Sequence, residues 1–153
     1  MAQRISAALA ATAHHEAGHV VAAILKGLVV EHVTIDADAG VAGYVQYLQP
    51  AEEDEQTHER GVVALAGEAA QRRFNPRSIR RHHGGGDREQ VLSYAVNYAG
   101  SVKQAEALVR YWEVRASELV ERYWAQIQRV AAELLKHRTL TRQDVQRMVV
   151  PQR

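Results

Sequence analysis

The chain has 153 residues, 46% apolar and 24% charged, enough for one globular domain spanning 1–153 that buries a core without covalent staples. Cysteine is absent, which excludes disulfides, thiolate nucleophiles and every cysteine-based zinc site, and suits a reducing, cytoplasmic setting. Nineteen Lys+Arg against eighteen Asp+Glu leave a formal +1, too balanced for a nucleic-acid binder, and no apolar run is long enough to span a membrane.

Met1 to Thr12 has no leucine-rich stretch, so no cleaved signal peptide is expected. From Arg4 to Lys26 the alanine-rich pattern, with Ile5, Leu9, Val20, Val21, Ile24 and Leu25, predicts a helix that Gly27 ends. Val29–Ile35 and Val41–Leu48 read as two neighbouring strands or a hairpin, with a turn at Asp36–Gly40 between them. Pro50 and the acids Glu52–Glu55 open a second helix that runs to Phe74, where Asn75-Pro76 breaks it. Arg77 to Gly86 is basic and glycine-rich, a surface loop. Asp87 opens a third helix to Ala99, and after Gly100-Ser101 one long helical pattern continues to Lys136. Thr141, with Asp144 three residues on, is an N-cap signature for a last short helix. The expected fold is mainly α with a small β element.

The chemistry sits in His15-Glu16-Ala17-Gly18-His19, an H-E-x-x-H pattern on the first helix. Spacing of i and i+4 stacks the two imidazoles on one face, where both can bind a single Zn²⁺, and Glu16 beside them can act as general base. His14 points away by about 100° and is expected to pack or face solvent. Gly18 costs about 1 kcal/mol relative to alanine in a helix interior, a cost that close approach of a neighbouring backbone would explain. A catalytic zinc site needs a third protein ligand. The continuation H-x-x-G-x-x-H is missing, because its glycine and third-histidine places hold Ala22 and Leu25. The carboxylates left are Glu52, Glu53, Glu55, Glu59, Glu68 and Asp87. Asp87 follows three glycines that permit close approach, but with Gln90 it also reads as a helix-capping box.

These residues resemble the peptidase domain of the FtsH family of zinc proteases. His15-Glu-Ala-Gly-His-Val-Val21 is similar to the family's zinc helix, and Val30–Ile35 with Gly43–Pro50 to its β segment. Leu65-Ala-Gly-Glu-Ala-Ala70 resembles its Leu-Gly-Gly-Arg-Ala-Ala stretch, Gly86-Asp87 its third-ligand segment, and Leu134–Thr141 its closing helix pair. The resemblance implies a helical, zincin-like fold, a zinc-dependent endopeptidase, His15, His19 and Asp87 as metal ligands, and Glu16 as the general base. It also implies that a strand edge near the site holds an extended peptide by β-addition. Gln71-Arg72 stands where the family has paired glutamates, so an amide replaces a carboxylate that would orient a ligand histidine.

No G-x-x-x-x-G-K-[ST] loop occurs, so the resemblance is to the peptidase domain without its ATPase module. The expected substrates are therefore unfolded proteins or short peptides, supplied by diffusion or by a separate ATPase. Arg72, Arg73, Arg77, Arg80, Arg81, His82 and His83 form a basic stretch that reads first as a solvated loop and second as a dock for an acidic protein. Trp112, Tyr123 and Trp124 are expected in the core or in an interface between copies of the chain. An adaptor that keeps the metal and lacks hydrolysis is the alternative function, and intact Glu16 argues against it.

Overall fold

The computed structural model describes residues 4–36, 43–47, 56–79 and 85–151. α1 (Ala7–Leu25) begins at Ser6, whose hydroxyl accepts from the Leu9 N–H at 3.1 Å, and ends where Gly27 adopts φ +75°. Its middle is buried on all sides, unlike that of a surface helix, because it runs between α2 (Thr57–Phe74) and α5 (Trp124–His137). Alanine makes this possible: small side chains let three helices approach one another closely.

β1 (Val30–Thr34) pairs antiparallel with β2 (Tyr44–Tyr47) on one side and β3 (Thr139–Thr141) on the other. A register shift between Val30 and His32 leaves Glu31 as a bulge. The pair β1–β2 matches the sequence expectation, whereas β3 is an addition. Its three residues are too short to show a period, and Leu140 is buried opposite Val33. The order β2-β1-β3 puts β2 at an edge. The expected turn Asp36–Gly40 lies mostly outside the described residues, as do Glu52, Glu53 and Glu55.

A short 3₁₀ turn, Pro76–Ser78, follows α2 and is capped by the Asn75 side chain. α3 (Gly85–Tyr98) and α4 (Val102–Arg122) come next. The long pattern to Lys136 is not one helix: Tyr123, at φ −109° and ψ 25°, separates α4 from α5. The physical reason is that the two halves serve different cores. Most of the buried face of α4, Ala105, Trp112 and Ala116, packs with Val62, Leu65, Val91 and Ala95, while α5 sends Ile127, Val130, Ala131 and Leu134 to α1 and the sheet. α2 is the wall between the cores. Trp112 lies flat on Gly61, where a Cβ would come within 2.3 Å of the indole, and donates its Nε1–H to His58 Nδ1 at 3.0 Å. α6 (Arg142–Val149) starts with the expected capping box between Thr141 and Asp144. No helix among the described residues is long and apolar enough to cross a membrane.

Candidate metal centre

The centre forms where α1 and α2 cross. A Cβ on Gly18 would lie 2.5 Å from the Ala66 carbonyl oxygen and 2.6 Å from Ala70 Cβ, so the backbones touch as the helix-interior glycine suggested. Gly67 makes the matching concession on α2: a Cβ there would sit 2.3 Å from His19 Nε2. The interface is cut to fit an imidazole.

Hydrogen bonds then fix which nitrogen of each ring faces inward. The Gln71 amide nitrogen donates to the Ser78 carbonyl at 3.3 Å and to Ser78 Oγ at 3.1 Å, which turns Gln71 Oε1 toward His15. A carbonyl accepts only, so His15 Nδ1 donates to it at 2.8 Å, and when the ring is neutral Nε2 keeps its lone pair. The same logic holds for His19, whose Nδ1 donates to the Val63 carbonyl at 2.8 Å. Both Nε2 lone pairs point at one spot, 3.0 Å from each other.

Asp87, from α3, completes a triangle. Its Oδ2 lies 3.0 Å from His15 Nε2 and 3.1 Å from His19 Nε2. Three converging lone pairs repel one another unless a cation sits among them. Ligands about 2.0–2.1 Å from a tetrahedral zinc lie about 3.3 Å apart, within a few tenths of an ångström of these separations. Two imidazoles oriented by their second nitrogens, with one carboxylate, are also the donor types that zinc takes. The residues fit the ion.

Compared with models of protein families and with curated proteins, the chain matches none.

Electrostatics tie the cluster together. Burial works to keep Asp87 neutral, but the hydrogen bonds and charges of His15 and His19 outweigh it and hold the carboxyl well below the usual range. Burial likewise opposes charge on His19, yet the Asp87 hydrogen bond, the charges of Asp87 and Glu16 and the Val63 bond raise its pKa to about 9. A proton on His19 thus does in the bare polypeptide what a metal ion would do. Glu16 is buried next to the triangle. Burial raises its pKa, His19 and His15 pull it down, and Asp87 pushes it up, leaving a net rise. Gly43, just before β2, covers it: a Cβ there would lie 2.9 Å from Glu16 Cγ and 3.3 Å from its Oε1.

Of the carboxylates open as a third ligand, the structure brings only Asp87 to the histidines among the described residues. Asp87 is the third residue of α3, inside the helix and facing the histidines, so the capping-box reading gives way. Glu68 is taken by Arg72 at 2.7 Å and Arg88 at 2.8 Å, and Glu59 lies in the first turn of α2, outside the triangle. His14 packs, stacked on Phe74 with centroids 3.7 Å apart and bonded to the Ala10 carbonyl. Arg80, Arg81, His82 and His83 lie outside the described residues. The Val63 carbonyl and the Ser78 clamp on Gln71 carry no sequence signal, since a backbone acceptor is the same in every residue.

Proposed function

We propose that the protein is a zinc-dependent metallopeptidase of the FtsH-peptidase type, working in the cytoplasm on unfolded proteins or short peptides. The observation that carries this reading is the triangle of His15, His19 and Asp87 with Glu16 buried against it. Zinc held there would polarise a peptide carbonyl and lower the pKa of a coordinated water.

The chain's own residues supply the rest. Glu16, with its proton affinity raised by burial, accepts a proton from the attacking water and passes it to the leaving nitrogen. The missing side chain at Gly43 leaves room for that carboxylate. The edge of β2, unpaired among the described residues, offers backbone groups that an extended peptide can pair with. Folded proteins present no such segment, which supports unfolded chains as substrates and a separate ATPase as the protein that would supply them. Gln71 replaces the family's carboxylate without losing the His15 hydrogen bond, which favours a working peptidase over a non-hydrolytic adaptor.

Glu16→Gln tests the reading. The amide fills the same space and cannot take the proton, so peptide hydrolysis should fall by about 10²–10⁴-fold while zinc content stays at one per chain. Equal turnover by Glu16→Gln and wild type would exclude Glu16 as the base.

A further inference from the structure

α2 turns one stripe of residues toward the metal centre. Gln71 holds His15, Gly67 backs the His19 ring, and seven residues before Gly67 the same stripe reaches Arg60. α3 runs antiparallel beside it, since Asp87 stands at the level of Gly67 and Gln71 while Tyr98 meets His58, ring centroids 4.8 Å apart. Tyr94, seven residues past Asp87 on the same face, therefore falls near Arg60, about 10 Å from Asp87 at 1.5 Å per helical residue. Tyr47 of β2 closes the group. Burial and the charges of Glu16, Tyr94 and Asp87 push its phenol above the ordinary range, and Arg60 opposes them, so these groups lie within electrostatic range of Tyr47.

Arg60 is placed at a cost. Its Nε is buried with no hydrogen-bond partner, and it is the one such side-chain atom among the described residues. No carboxylate among the described residues pairs with it. It also puts a cation in the first turns of α2, the end where the helix dipole disfavours positive charge. A half-buried guanidinium whose Nε has no partner is a fork shaped for two oxygens of one anion.

We propose that Arg60, near Tyr94 by helix spacing and within electrostatic range of Tyr47, is a substrate-anchoring subsite that takes a carboxylate of the bound peptide. It rests on the peptidase reading above. At about 3.3 Å per extended residue, the anchored carboxylate belongs roughly three residues from the bond at the metal centre. The carboxylate can be an acidic side chain or the chain's own C-terminus.

The test measures binding, with hydrolysis scored separately. Fluorescein-labelled hexapeptides carry one Glu at each position in turn, with Gln counterparts, each made with a free and an amidated C-terminus. They are titrated by fluorescence anisotropy, with zinc present, into Glu16→Gln protein and into the same protein carrying Arg60→Gln. One Glu position, or the free C-terminus, should bind about tenfold more tightly than its neutral partner. Arg60→Gln should erase that difference and leave neutral peptides within roughly twofold. Whichever carboxylate carries the preference identifies the source.

Equal binding of charged and neutral peptides overturns the proposal, as does a preference that survives Arg60→Gln or an absence of binding by every peptide. Arg60→Lys keeps the charge and loses the fork, so a reduced preference is expected. If Arg60→Gln does not fold, that variant decides, an undiminished preference counting against the proposal. Hydrolysis of the same peptides by the protein with Glu16 intact decides the peptidase reading on its own.

Discussion

The two helices that supply the metal ligands are held in very different ways. α1 has eleven of its nineteen residues buried, and each of its two ligand histidines, His15 and His19, is fixed by a hydrogen bond at Nδ1. α3 buries only Val91 and Ala95 among its described side chains, and Leu92, Val96 and Tyr98 are at least half exposed. The hydrogen bonds of Asp87 run to the histidines themselves. The difference teaches that the imidazole pair is prebuilt by packing, whereas the carboxylate is recruited by the charge it meets. Placing the ligand pair on a deeply buried helix, and the third ligand on a lightly buried one, keeps ring orientation independent of the metal.

Removing ligands from the two helices breaks the comparison most strongly. His19→Ala should abolish stoichiometric zinc binding, because it removes a prebuilt ligand and leaves the Val63 carbonyl without its buried donor. Asp87→Asn should weaken binding yet leave both imidazoles in place, so isothermal titration should still detect zinc at lower affinity. Identical isotherms for Asp87→Asn and wild type would remove Asp87 from the ligand set.

Gln71 sharpens the claim that second-nitrogen bonds hold the rings. Gln71→Ala frees His15 Nδ1 and should lower zinc affinity about 10–100-fold, while Gln71→Glu, which still accepts that bond, should stay near wild type. An unchanged affinity in Gln71→Ala would mean that packing alone orients His15.

Gly67→Ala probes the fit of the α1–α2 crossing. Alanine is favoured over glycine in a helix by about 1 kcal/mol, but its methyl would sit 2.3 Å from His19 Nε2, and Val63 keeps that ring from turning away. The overpacking should prevail, with a net loss of about 1–3 kcal/mol in denaturant unfolding and weaker zinc binding. A more stable variant with unaltered affinity would show that the crossing has slack.

What the sequence disclosed follows the range of the interactions involved. His15 and His19 were legible because a helix brings i and i+4 together without help from the rest of the chain. Asp87 meets them across 72 and 68 residues, and no local pattern separates it from five other carboxylates; the family resemblance, not the spacing, singled it out. Gly18 was legible as a close contact, but its partner Ala66 was not. The break at Tyr123 has neither proline nor glycine to mark it, since it is set by two cores competing for one helix. Thr141 and Asp144 could be read directly, because a capping box is complete within four residues.

X-ray absorption at the zinc edge, on protein loaded with one equivalent of zinc, tests the central claim most directly. The expected spectrum has nitrogen and oxygen neighbours at about 2.0–2.1 Å and multiple scattering from two imidazoles, those of His15 and His19. Three or more imidazoles would put a further histidine, such as His82 or His83, in the place given to Asp87, and fewer than two would dismantle the centre built on α1.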